Sequence, residues 1–221
     1  MENISKSVAT ALLDIGAVKV RIDPPFTWVS GIKSPVYCDN RMMISHVAGR
    51  ETVIKAFKEV LAEKISKGEI KEPDYIGGTA TAAIPWAAFL AYELKKPMIY
   101  IRPEPKAHGA GKQIEGDLKE GSRVLIVEDL ISTGGSSVKV AEVVRREGKC
   151  EVTDIFAIVS WEMPKAAVAF KEGNVNLTNL TGFTDLIGFA SERGDIPADK
   201  VAVIQEFKAN PAEWAVKAGI N

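Results

Sequence analysis

The stretch VLIVEDLISTGGSS, from Val124 to Ser137, constrains the fold of this chain more than any other. A nearly pure apolar run starts at Val124 and ends at two adjacent acids, Glu128 and Asp129. A loop with almost no side-chain bulk follows, Ser132-Thr133-Gly134-Gly135-Ser136. A short apolar run bounded by turn residues reads as a buried strand, here Val124 to Glu128. Two like charges side by side at a strand end repel and add nothing to stability. Their presence points to a cation, a polyhydroxylated ligand, or both.

The rest of the chain alternates in a way that gives this strand a setting. Residues 3 to 15 read as a first helix, and Val18 to Tyr37, with its prolines and glycines, as strands and turns. Val47 to Ser66 carries Val53, Ile54, Phe57, Val60 and Leu61 at helical spacing, and Gly68 closes it. A strand at Asp74 to Gly78, a helix at Pro85 to Leu94 and a strand at Met98 to Arg102 come next. A long polar loop then leads to the strand at Val124. A helix from Ser136 to Glu147 is capped by Gly148. An alternating strand follows at Val152 to Ser160, then a weaker one at Val175 to Leu180, and the tail holds three helices. Such alternation predicts an α/β fold with a parallel sheet covered on both faces and right-handed crossovers. The length of 221 residues suits a single domain, 1–221.

Composition excludes several function classes. Apolar residues make up 46% of the chain, enough for a core. A net charge of -1 argues against general affinity for nucleic acid or acidic membranes. The longest apolar stretch, Ala82 to Tyr92, contains a proline and is too short to span a bilayer. Cys38 and Cys150 lie far apart and form no metal-ligand pattern, so a reduced, cytoplasmic protein is expected.

Ligands of a parallel sheet bind beyond the carboxyl ends of its strands, where the acids and the glycine loop fall. Gly134 and Gly135 let the backbone turn its amides toward a ligand, and Ser132, Thr133, Ser136 and Ser137 add hydroxyls. The helix that follows contributes its positive end, which completes a phosphate cradle by mechanism. The spacing is neither that of a Walker loop nor of a dinucleotide fingerprint. Glu128 and Asp129 can accept hydrogen bonds from vicinal hydroxyls, so phosphate and diol together describe a ribose 5-phosphate.

These residues resemble the phosphoribosyl pyrophosphate signature of type I phosphoribosyltransferases. A second stretch, YIRPEPKAHGAGKQIEG from Tyr100 to Gly116, is similar to the catalytic loop of orotate phosphoribosyltransferases. FTWVSGIKSPVYCDNR, Phe26 to Arg41, resembles the N-terminal segment that covers orotate, and IGGTATAAIP, Ile76 to Pro85, the loop that holds pyrophosphate. The resemblance spans residues 20 to 140.

The resemblance implies a central parallel sheet flanked by helices, with a small N-terminal hood over residues 1–45. It implies transfer of the phosphoribosyl group to orotate, giving orotidine 5′-phosphate. Asp129, Lys106, His108 and Arg102 become the catalytic candidates. The substrate contacts extend over Arg102, Lys106, His108, Glu128, Asp129, Leu130, Ile131, Ser132, Thr133, Gly134, Gly135 and Ser136. Thr79 and Ala80 belong to the pyrophosphate loop. Ser132 is expected between sugar and base, with Lys33 and Arg41 as candidates for the orotate carboxylate. Lys33 and Arg41 read equally well as surface charge, and Lys112 is a further basic residue of the loop. Magnesium is expected on the pyrophosphate rather than in a cage of protein ligands, because it dehydrates reluctantly. A homodimer with loops exchanged between subunits is implied, with no nucleic-acid or membrane partner. The chain departs from some family members at Val29, at Pro103, and in VSWEMPK after Ser160, which has no arginine. A purine phosphoribosyltransferase and a regulator that senses phosphoribosyl pyrophosphate without catalysis are the competing readings. The regulator would need a basic surface that this composition lacks. His46 and the four tryptophans are expected to be structural.

Overall fold

The computed structural model describes residues 2–28, 31–105 and 112–220. Helix α1 (Glu2–Asp14) leads into four short strands of the N-terminal segment. Strand β1 (Val18–Val20) pairs antiparallel with β4 (Val36–Cys38), and β2 (Phe26–Thr27) pairs with β3 (Lys33–Ser34). A 3-10 turn over Asn40–Ser45 delivers the chain to α2 (Val47–Ser66). There follow β5 (Tyr75–Thr79), α3 (Ile84–Leu94), β6 (Met98–Ile101), β7 (Ile114–Glu115), β8 (Val124–Ile131), α4 (Gly135–Glu147) and β9 (Asp154–Ser160). The chain ends with α5 (Pro164–Glu172), β10 (Asn176–Gly182), α6 (Phe183–Glu192), α7 (Val201–Gln205) and α8 (Trp214–Lys217).

The main sheet has six strands in the order β10-β9-β8-β5-β6-β7. Five run parallel, and β7 is antiparallel to β6, with Tyr100 opposite Glu115. The expected central parallel sheet is present, with the two-residue antiparallel strand β7 added at one edge. Two residues of β7 carry no periodicity of their own; pairing with β6 alone defines them.

Alternation along the central strands sorts side chains to two cores. Leu125 and Val127 of β8, with Phe156 and Ile158 of β9, face a core shared with α1, α2, α3 and α6. Val124 and Ile126, with Ile155 and Ala157, face a second core shared with α4 and α5. Both faces of the sheet are covered, as a parallel sheet requires. Helix α2 buries Val53, Ile54, Phe57, Val60 and Leu61, the stripe its spacing predicts. Phe57 is fully buried against Phe156, so truncation to alanine should cost about 3–5 kcal/mol.

Strand β8 continues three residues past the expected end at Glu128, because pairing with β9 carries on through Leu130–Val159 and Ile131–Ser160. The two acids therefore lie within the strand, held by its backbone, and not beyond it. In the tail, α5 precedes β10, and its proline sits at the first helical position, where a missing N–H does no harm. α7 and α8 are short, and an aromatic cluster forms around Phe207, in the 3-10 turn Glu206–Lys208 between them, and Trp214 of α8. Phe207 meets Trp214 edge-on at 5.7 Å and Trp28 of the N-terminal segment at 5.4 Å. Trp28 also stacks on Trp161 at 6.5 Å. Trp86, Trp161 and Trp214 are buried core residues, as their size suggests.

Candidate functional site

The sheet order creates the site. From β5 the chain builds outward through β6 on one side, and β8, β9 and β10 extend the other. The reversal lies between β5 and β8, and a crevice opens beyond the carboxyl ends of strands at such a point. A cavity of about 470 Å³ lies there. Thr79 and Ala80 line it from the end of β5, Arg102 from the end of β6, Glu128 and Asp129 from β8, and Ser136 and Lys139 from α4. Three stretches singled out in the sequence, Ile76–Pro85, Tyr100–Gly116 and Val124–Ser137, thus meet at one cavity.

Glu128 is only 5% exposed. Its Oε1 accepts a hydrogen bond of 2.8 Å from the hydroxyl of Ser137, itself buried on the first turns of α4. Burial pushes the Glu128 carboxyl up to about 7, and the hydroxyls of Ser137 and Thr79 oppose that rise. The Thr79 hydroxyl is buried and makes no hydrogen bond of good geometry, yet it lies close enough to favour the charged form. Burial also raises the Asp129 carboxyl above the ordinary value; its own amide and that of Leu130 oppose the shift. Two carboxyls with raised proton affinity, side by side on a cavity wall, form the kind of pair that marks a functional site. Water or a neutral core would serve stability better.

The loop after β8 is shaped by contact. Gly134 adopts φ +79°, the left-handed region, and a Cβ there would lie 2.8 Å from Cε2 of Phe170. Only glycine fits, and its conformation turns the chain into α4. A Cβ at Gly135 would meet open space. Ser132 offers its hydroxyl to Met163 Sδ at 3.7 Å, Thr133 is exposed, and Leu130 is among the lining residues while its side chain packs in part against the core. Ile131 points into the core, and its carbonyl accepts from the Trp161 amide. Any part it takes at the cavity falls to its backbone.

Arg102 lies 3.6 Å from Glu115 across the β6–β7 pair. Gln113 clasps the legs of the loop, its Nε2 donating to the carbonyls of Arg102 and Pro103, each at 3.0 Å. Lys106 and His108 lie outside the described residues, as does Val29. Lys33 is exposed on β3 and donates to the Thr27 hydroxyl at 3.2 Å. Arg41 is held in a fork by Asp39, at 2.6 and 2.9 Å. The structure does not bring Lys33 or Arg41 among the residues lining the cavity.

Three residues near the acids escaped the sequence reading. Lys139 lies one turn beyond Ser136 on α4 and faces the same cavity; the three-residue spacing was the available signal. Thr81, which joins Thr79 in the lining, follows a cis peptide bond from Ala80. Asn40 donates from Nδ2 to the backbone carbonyl of Asp129 at 2.7 Å, a contact across 89 positions that no local pattern encodes.

Among the described residues, no helix is long and apolar enough to cross a membrane, and no group of His, Cys, Asp and Glu could hold a metal ion by itself.

The fold and the cavity have counterparts. The phosphoribosyl transferase domain model matches residues 49–189, which include β5, β8 and the glycine loop. An orotate phosphoribosyltransferase of Enterococcus faecalis is 45% identical over 214 residues, covering 97% of this chain and 99% of that protein. The crystal structure of orotate phosphoribosyltransferase from Aeropyrum pernix superposes with a TM-score of 0.71 at 31% identity, over 86% of this chain and 99% of that one. The structure of Leishmania donovani UMP synthase gives 0.75 at 30% identity, over 92% of this chain and 42% of the longer one. With a cradle, a carboxylate pair and near full-length similarity in agreement, this chain belongs to the orotate phosphoribosyltransferase family.

Proposed function

We propose that this protein transfers the 5-phosphoribosyl group from phosphoribosyl pyrophosphate to a ring nitrogen of orotate. The products are orotidine 5′-phosphate and pyrophosphate, a step of pyrimidine nucleotide synthesis. The observation that carries the reading is the pair Glu128–Asp129 on a cavity at the strand reversal, with Asp129 five residues before the left-handed Gly134 that opens α4. Similarity to proteins named for this reaction supports orotate over a purine base.

In this reading Thr133, Gly134, Gly135 and Ser136 hold the 5′-phosphate at the positive end of α4. Glu128 and Asp129 accept from the ribose hydroxyls, and the Asp129 charge steadies the positive charge that builds at the anomeric carbon. Thr79 and Ala80 face the pyrophosphate. Arg102, Lys106 and His108 bring positive charge to it from the loop. Ser132 stands between sugar and base, and Lys33 or Arg41 meets the orotate carboxylate after the N-terminal segment moves or Arg41 exchanges partners. No side chain need form a bond to the sugar: positioning and charge supply the rate.

The carboxylates of Glu128 and Asp129 present only oxygen to the cavity, which suits magnesium brought in on pyrophosphate. Carried on pyrophosphate, the ion would neutralise charge on the leaving group and leave both carboxylates to the sugar. The whole chain acts as one catalytic domain in the cytoplasm, as a homodimer in which each loop serves the neighbouring site.

A base screen tests the reading. Protein, magnesium and phosphoribosyl pyrophosphate are mixed with orotate, uracil, adenine or hypoxanthine, and nucleotide is measured. Turnover with orotate is expected; turnover with a purine and none with orotate would sink the proposal.

A further inference from the structure

The segment Tyr37-Cys38-Asp39-Asn40-Arg41 alternates in direction. Asp39 turns outward, forks with Arg41 and accepts from the Arg41 amide to start the 3-10 turn. Asn40 turns inward and is 2% exposed. Its amide is used at both ends. Nδ2 donates to the Asp129 carbonyl at 2.7 Å, and Oδ1 accepts from the Cys38 thiol at 3.2 Å. Burial, with Asp129 and Asp39 nearby, drives the Cys38 thiol well above its usual value, so the sulfur keeps the proton it donates. The Asp129 carbonyl can only accept, so it requires Nδ2, and the thiol donating to Oδ1 holds the amide the same way round. The backbone under Cys38 is itself tied, since the Asp39 amide donates to Ala17 at 2.8 Å and Cys38 pairs with Val18.

We infer that Asn40 is a positioning residue for the phosphoribosyl site: oriented by Cys38, it ties the N-terminal segment to the peptide that carries the Glu128–Asp129 pair. The inference rests on the proposed function and adds a specific link between base side and sugar side. The segment that resembles an orotate cover and the strand that holds the sugar acids share one hydrogen bond across 89 positions. Displacing the cover pulls on the carbonyl of the residue that faces the reacting carbon.

The test uses four variants of the full-length protein. Asn40→Ala removes the tie and should lower kcat by about ten- to a hundredfold through misplacement of the acids. A structural role alone would lower the melting temperature and leave kcat of the folded protein near wild type. Asn40→Asp is the diagnostic change. Ionised, its carboxylate repels the carbonyl; protonated, it can donate to it. Its activity relative to wild type should rise as pH falls, and a flat ratio would count against the inference. Cys38→Ser keeps a donor to Oδ1 and should stay near wild type. Cys38→Ala removes one of the two partners that hold the amide and should lose activity in the same direction as Asn40→Ala, by less. These two changes keep the inference falsifiable where Asn40→Ala does not fold. Calorimetric affinity for phosphoribosyl pyrophosphate, measured without any base, separates the two failures. Wild-type protein inactive with orotate refutes the substrate. Asn40→Ala with wild-type kcat and wild-type affinity refutes the tie.

Discussion

Glu128→Gln should make this protein more stable at pH 8 and less active. Glu128 is nearly buried, and burial lifts its carboxyl to about 7 from an ordinary 4.5. The folded protein therefore keeps a proton over a pH range in which the unfolded chain has released it. By linkage, stability falls as pH rises from about 4.5 to 7 and is level above that. The gap corresponds to about 3 kcal/mol of destabilisation by the ionised acid. Glutamine keeps the size and still accepts from Ser137, so the substitution removes the charge and little else. Urea unfolding at a series of pH values, wild type against variant, isolates this group because the other titrating residues are common to both. The two should be alike near pH 4.5, and the variant should be ahead by about 3 kcal/mol at pH 8, roughly 6–12 °C in melting temperature for a chain of this size. A difference that does not change with pH, or a variant less stable at pH 8, would refute the reasoning. Burial that weakens the fold in this way is retained where charge is needed at a reacting centre.

Asp129→Asn should abolish most turnover while moving the melting temperature little, as steady-state rates and calorimetry will show; near-normal turnover would place Asp129 away from the sugar. Gly134→Ala forces a Cβ to 2.8 Å from Phe170 at a positive φ, so it should destabilise the fold by about 2 kcal/mol in urea unfolding and weaken phosphate affinity. Mixed dimers of Asp129→Asn and Lys106→Ala should regain activity up to about a quarter of wild type after subunit exchange, since half the dimers then hold one intact site. No recovery would mean that the loop serves its own subunit.

Much of this molecule is legible locally. Val47–Ser66 announces a helix by spacing alone, and the helix observed has the same bounds. Buried strands show as apolar runs, which is why β8 was found and also why its end was misplaced: the run stops at Glu128, but pairing with Val159 and Ser160 does not. The acids and glycines of the site stood out because they make poor structural sense in a strand and a turn. What stayed hidden depends on distance. β7 exists only as the partner of Tyr100 and Ile101. Ser137 reads as one more loop hydroxyl until its bond to Glu128 is seen. Asn40 reads as part of a polar turn, although it reaches a strand 89 positions away. The ordering of strands about β5 and β8, which decides where a crevice opens, has no counterpart in any single segment.

The ring contacts between Trp28, Phe207 and Trp214 make the last stretch of the chain a foundation for its first. A protein cut before Phe207 would keep every strand of the sheet and every acid of the cavity. It would lose the floor under the hairpin of β2 and β3. Among the described residues none of the tail lines the cavity, so a substitution there reaches the N-terminal hairpin through packing and leaves the acids and the glycine loop untouched. Drift in the tail and drift in the hairpin should then be felt jointly, as two stones of one arch.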